Sequence, residues 1–203
     1  ICMIPNGINT NFFKPMLKKK NFFLFKIGMA SRVNKLKCHD LIVDALNSNM
    51  LKKFNIEFSL AGDGEDLNNF KNRVKKLKLN KKVKILGYKN EYAIKKWLNN
   101  LDLYVQASIG EGVPVSLLQA MSMRVPAIGS SVSGIRELLK KNIGILFKNN
   151  VEDLAKKIKF FIFLKKKEEK KYTSNQRNCV ISNYNYLNMF DKYYFIINNI
   201  CKI

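Results

Sequence analysis

Ser108-Ile109-Gly110-Glu111-Gly112-Val113-Pro114-Val115-Ser116-Leu117-Leu118-Gln119-Ala120-Met121 is the stretch on which the fold turns. With Leu103 to Gln106 before it, the stretch reads as strand, glycine-containing loop and helix. Pro114 suits a first helical turn, where its missing N–H is one of the donors that has no intrahelical partner. The amides around Val113 to Ser116 then point out of the helix start, where they and the helix dipole favour an anion. Taken alone, a loop of this kind is more often a plain connection than a ligand site.

Outward from that stretch the same alternation continues in both directions. Short β-rich runs fall at Phe22 to Ala30, Ile56 to Ala61, Lys82 to Leu86, Leu103 to Gln106, Val125 to Gly129 and Gly144 to Phe147. Helical stripes separate them: Leu41, Ala45 and Leu46, then Leu67, Phe70, Val74 and Leu77, later Leu154, Ile158, Phe161 and Ile162. This pattern predicts an α/β fold, a doubly wound, Rossmann-like parallel sheet of about six strands flanked by helices. In such folds ligands sit outside the carboxyl ends of the strands. Arg32 and Lys37, just after the first strand, put two cations at that edge, able to grip a diphosphate. Among 37 basic residues, two more are equally read as solvated surface charge.

A chain of 203 residues suffices for one α/β domain with a buried core. The net charge of +22 suits a protein that meets phosphates, yet lysine is spread along the whole chain, as a general compositional drift would leave it. Apolar runs are too short for a transmembrane helix. The start, Ile-Cys-Met-Ile-Pro, resembles no signal peptide and reads as a cut edge. Cys2, Cys38, Cys179 and Cys201 form no Cys-x-x-Cys pair and His39 is the sole imidazole, so neither a zinc site nor a disulfide framework is indicated. A reducing, cytoplasmic setting follows. The lysine run Lys165 to Lys171 is expected to end the helix that starts at Val151, and Tyr186 to Ile200 reads as a helix with Leu187, Phe190, Tyr194 and Ile197 on one side.

Several short motifs, in order, carry a family resemblance. Met3-Ile-Pro-Asn6-Gly7 through Phe13-Lys-Pro15 looks like an interdomain linker. Gly28-Met-Ala-Ser-Arg32 through Lys37-Cys-His-Asp, Leu60-Ala-Gly62-Asp-Gly64, Val83-Lys-Ile-Leu-Gly87-Tyr, Glu111 to Met121, and Val125-Pro126 through Ser133-Gly134-Ile-Arg-Glu137 follow. Together they resemble the C-terminal, donor-binding lobe of GT-B retaining glycosyltransferases, glycosyltransferase family 4, also called glycosyl transferases group 1.

The resemblance implies specific roles. Arg32 and Lys37 would hold the donor diphosphate and stabilise the charge that builds on it, and Glu111 would contact the donor sugar. Gly112, Val113, Pro114, Val115 and Ser116 would line sugar and phosphate, and Gly87 and Tyr88 would meet the base. Gln119 falls where the family has a second glutamate, whose carboxylate accepts from the ribose hydroxyls. Cys38 and Arg124 stand where glycine is usual. No metal or other cofactor is expected; Asp63 and Asp66 read as a turn and a helix N-cap, and His39 as a surface or helix-start residue.

The implied division is residues 1–20 as interdomain linker, 21–168 as nucleotide-sugar-binding domain, and 169–203 as a helical segment crossing to an N-terminal lobe. The implied function is transfer of a hexosyl-type sugar from a UDP- or GDP-linked donor to a glycan or lipid-linked acceptor of envelope or capsule polysaccharide synthesis. Without the acceptor lobe the chain would transfer little. A cytoplasmic position with peripheral contact to an anionic membrane at its inner face fits this. The alternatives are a non-catalytic sugar-nucleotide-binding module and, on charge alone, a basic nucleic-acid-binding domain; nucleic acid is not the expected partner.

Overall fold

The structure, a computed structural model, describes residues 3–17, 23–140 and 143–200. Its strands are β1 (Phe25–Ala30), β2 (Ile56–Ala61), β3 (Val83–Gly87), β4 (Leu103–Gln106), β5 (Ala127–Ser130) and β6 (Ile145–Phe147), all parallel, in the order β3-β2-β1-β4-β5-β6. A parallel sheet is buried on both faces, so its strands need apolar residues on both sides. Alternation supplies them: Ile27, Met29, Phe58, Leu60 and Val105 enter one core, while Ala30, Tyr104 and Ala127 enter the other. Helices α1 (His39–Asn47), α2 (Leu67–Lys76) and α6 (Val151–Phe163) cover the first face. The second is covered by α3 (Glu91–Asn99), α4 (Val115–Ser122), α5 (Ser133–Leu138) and α7 (Lys166–Asn183), with α8 (Tyr186–Ile200) following. The doubly wound α/β sheet expected from the sequence is the observed fold.

The differences have local causes. The first strand opens at Phe25; Phe22, where it was expected to begin, lies outside the described residues. The fifth opens at Ala127 rather than Val125, because Pro126 has no N–H for the ladder, although its carbonyl accepts from the Tyr104 amide at 2.8 Å. The lysine run does not simply end α6. That helix stops at Phe163, Leu164 and Lys165 are extended, and α7 starts at Lys166 with Lys165 as its N-cap. What makes α7 a helix is an inward face written partly in polar residues. The Tyr172 hydroxyl donates to the Ala127 carbonyl at 2.7 Å and accepts from the Ile145 amide at 2.9 Å. Gln176, fully buried, bonds both the N–H and the C=O of Ala127. The boundary expected at residue 168 therefore falls inside a helix docked on the sheet layer.

The N-terminal stretch is seated against the corner between α7 and α8. Ile8 donates to the Tyr184 carbonyl at 2.8 Å and accepts from the Tyr186 amide at 3.0 Å, and the Ser122 hydroxyl donates to the Phe13 carbonyl at 2.6 Å. As the sequence suggested, α8 carries Leu187, Phe190, Tyr194 and Ile197, and all four are exposed. Among the described residues no helix is long and apolar enough to cross a membrane.

Strand order reverses between β1 and β4, and a doubly wound sheet opens a crevice at that point beyond the strands' carboxyl ends.

Candidate functional site

The crevice is a cleft of about 350 Å³. Of the residues singled out from the sequence, Arg32, Lys37, Glu111, Pro114, Val115, Ser116 and Gln119 line it. Ala30, Ser31 and Gln106, at the ends of β1 and β4, line it too and were not foreseen. A wider hollow of about 490 Å³ lies at the opposite rim, among Phe23, Phe54, Phe161 and Lys165. The switch-point cleft is the candidate site because the buried charged groups converge there.

Two hydrogen bonds to one main-chain carbonyl bring those groups together. The carbonyl of Leu36 accepts from the Ile109 amide at 2.9 Å and lies 3.0 Å from the Ser108 hydroxyl, which stitches the turn after β1 to the loop after β4. Lys37 Nζ then meets Glu111 Oε1 at 2.5 Å, with only 20% and 11% of the two side chains exposed. A pair so shielded needs further partners to offset its lost hydration. Gln106 supplies one, donating from Nε2 to the same Glu111 oxygen at 3.0 Å.

Arg32 sits differently. Its guanidinium leans outward to Glu65 at 3.2 Å, with both side chains mostly exposed. Such a surface pair is worth only about 0–1 kcal/mol, so a phosphate arriving in the cleft can draw the arginine away.

At the helix start Pro114 occupies the N-cap in an extended conformation, and its carbonyl accepts from Leu117 and Leu118. The helix thus begins one residue later than Pro114, with Val115 and Ser116 as its first two residues. Gly112 and Val113 do not line the cleft. Gly112 is exposed and Val113 is half-buried against the α4 side of the core. Behind that loop stands Gly134, whose amide donates to the Glu111 carbonyl at 3.1 Å; a β-carbon on Gly134 would lie 1.7 Å from the Gly112 oxygen.

Gly87 and Tyr88 also stay outside the cleft, at the end of β3 along the same edge. The Gly87 carbonyl accepts from Gly62 at 2.9 Å, and Gly62 passes so close to β1 that a β-carbon there would fall 1.9 Å from the Ser31 oxygen. Tyr88 is 81% exposed.

His39 is a helix-start residue, as expected, but not a surface one: it is 4% exposed and its Nε2 lies 2.9 Å from Ser31 Oγ. Burial pushes its pKa down to about 4, with Lys37 acting the same way and Asp66 opposing. Burial, aided by Asp40, pushes the Cys38 thiol up. Cys38 and Arg124, the residues standing at usual glycine positions, both adopt left-handed backbone, with φ of 45° and 56°. Among the described residues no group of three or more His, Cys, Asp or Glu side chains could hold a metal ion. Asp63 accepts from the Gly64 amide in a turn, and Asp66 is the N-cap residue of α2.

The sequence pattern of the family described as Glycosyl transferases group 1 matches residues 8–178. Protein CapJ of Staphylococcus aureus is 30% identical over 167 residues, covering 81% of this chain and 41% of its own length. The UDP-Gal:alpha-D-GlcNAc-diphosphoundecaprenol alpha-1,3-galactosyltransferase of Escherichia coli is 28% identical over 211 aligned positions, covering 95% of this chain and 52% of its own. Among solved structures, a glycosyltransferase from Rickettsia africae ESF-5 aligns with a TM-score of 0.87 at 26% identity, over 98% of this chain and 57% of that one. The chain spans about half the length of the curated relatives it matches. On sequence, strand order and the placing of its cleft, the chain belongs to the glycosyl transferases group 1 family and has the fold of the C-terminal domain of GT-B glycosyltransferases.

Proposed function

We propose that this chain binds the nucleotide-sugar donor of a retaining glycosyltransferase, and that the acceptor is held by a lobe outside these residues. The observation that carries the reading is the meeting of Lys37, Glu111 and the start of α4 in one cleft at the switch point. As the bond from the anomeric carbon to the donor phosphate breaks, negative charge grows on the diphosphate. In this reading the Lys37 ammonium, the Arg32 guanidinium drawn in from the rim, and the Val115 and Ser116 amides meet it; that all four residues line one cleft supports this. That set needs no metal or other cofactor for the task. Glu111 faces the sugar, Gln119 the ribose, and the outer edge at Gly87 and Tyr88 the base.

The donor is UDP- or GDP-linked; the E. coli relative, named for UDP-Gal, favours the former. That relative's diphosphoundecaprenol-linked acceptor supports a glycan or lipid-linked acceptor; the proposed setting is polysaccharide synthesis at the inner, cytoplasmic face of the membrane. Residues 3–17 and the corner before α8 form the hinge toward the acceptor lobe.

Calorimetric titration with UDP, GDP, their hexose conjugates and duplex DNA tests this. Tight binding of one diphosphate series that is insensitive to salt is the expected result. DNA binding that collapses with salt, without nucleotide binding, overturns it. Gln119 in the cleft favours a second reading, a sugar-nucleotide binder without catalysis. Rejoining an acceptor lobe and assaying transfer separates the two.

A further inference from the structure

Gln106 is 1% exposed at the last position of β4, and a buried amide is costly unless its polar atoms are satisfied. Its Nε2 donates to Glu111 Oε1 at 3.0 Å. Its Oε1 accepts from the Tyr104 hydroxyl at 2.9 Å and from the Ser116 hydroxyl at 3.3 Å. The reverse setting of the amide would press a carbonyl oxygen against a carboxylate, so the charge on Glu111 fixes which way Gln106 lies. Tyr104 is fully buried and takes the Ala30 amide at 3.2 Å, which anchors the array to the end of β1. The array thus runs from the core of the sheet to the one acidic side chain that lines the cleft among the described residues.

We propose that Gln106 is a positioning residue that sets the site's choice of sugar. Together with Lys37 it engages one oxygen of Glu111, Oε1, and so reserves the other, Oε2, for hydroxyls of the donor's pyranose ring. This rests on the donor-binding reading above. Lys37 alone cannot perform that task, because an ammonium on a flexible stem follows the donor phosphates and takes the carboxylate with it. The rigid amide, held from behind by Tyr104 and Ser116, keeps the carboxylate still while the lysine turns to its anion.

The test compares the unaltered full chain with Gln106→Leu and Tyr104→Phe. Each is titrated with UDP, UDP-glucose and UDP-galactose, and with GDP and GDP-mannose. Gln106→Leu is expected to bind the bare diphosphate as the unaltered chain does, while the affinity gained from the sugar falls about tenfold, the size of one charge-assisted hydrogen bond. Preference between the two epimeric UDP-hexoses should fall with it. Tyr104→Phe, which loosens the amide without touching Glu111, should move both quantities the same way by less.

An unchanged sugar contribution overturns the proposal. So does an equal loss for nucleotide and nucleotide sugar, which marks a merely structural lesion. A crystal structure of the Lys37→Met, Gln106→Leu double variant, set against that of Lys37→Met, gives a readout that needs no ligand: with the lysine gone, the Glu111 carboxylate should leave its place only in the double variant, and if it stays there the proposal is wrong. Should the unaltered chain bind no nucleotide, the donor-binding reading falls, and the crystal structure still judges whether Gln106 positions Glu111.

Discussion

Ser31 Oγ and His39 Nε2 lie 2.9 Å apart, and this bond ties the end of β1 to the first residue of α1 beneath the cleft. Burial there keeps the imidazole neutral. The folded pKa of about 4 lies below the ordinary 6.5, so the unfolded chain takes up a proton that the folded chain refuses. Stability from this source is complete above pH 6.5 and is lost as pH falls toward 4. About 2 kcal/mol should disappear between pH 6.5 and 4.5. Urea unfolding across that range checks it: His39→Gln should be less stable at pH 7 but show a flatter slope, and equal slopes would rule out the buried neutral ring.

Arg124 closes α4 with a φ of 56°, and Cys38 joins the turn at Lys35–Lys37 to α1 with a φ of 45°. Side chains resist this conformation by roughly 1 kcal/mol, part of which glycine gives back through its freer unfolded chain. Arg124 also faces the like charge of Arg177. Arg124→Gly should therefore raise unfolding stability by about 1 kcal/mol. Cys38→Gly should gain less, because its thiol packs partly on the core. Denaturation midpoints of the two variants, read against the parent, decide the order.

Gln119 lines the cleft on the second turn of α4. An amide offers the ribose one carbonyl acceptor, whereas a carboxylate offers two and a charge. Gln119→Glu should tighten UDP binding by about 1 kcal/mol, or about fivefold, and should do so much less for 2′-deoxy-UDP. Equal gains for both nucleotides would place residue 119 away from the ribose.

Gly134 leaves no room behind the loop that carries Glu111. Gly134→Ala should push that loop, costing about 1–3 kcal/mol of stability and weakening nucleotide-sugar binding together. Thermal melting and calorimetry on the same sample test the coupling. A variant that melts lower yet binds normally would show that the loop relaxes without disturbing Glu111.

The sheet was legible because its signals are local. Runs such as Ile56 to Ala61 set Ile56, Phe58 and Leu60 on one face at a period of two, and the stripes of α1 and α2 recur at helical spacing. The start of α7 was not legible, since Tyr172 and Gln176 stabilise it through bonds to Ala127 of β5, more than forty residues away. At the site, motif order pointed to Lys37 and Glu111, and the fold brings them into contact. Gln106 escaped notice although a polar residue ending a buried strand was a usable signal. Gly112, Val113, Gly87 and Tyr88 were assigned from motif position, and the cleft as it stands does not include them. Burial of His39 was hidden too, because a single histidine beside lysines carries no periodic mark.

The strand order leaves β3 and β6 as the outer members of the sheet. The last of these is only three residues long, and β3 projects Lys84, paired across to Glu57, from its second position. Neither margin offers the long, flat, uncharged template onto which a neighbouring molecule could add its own backbone. A chain this rich in phenylalanine and isoleucine is thereby guarded against edge-to-edge polymerisation by the shape of its borders as well as by its charge.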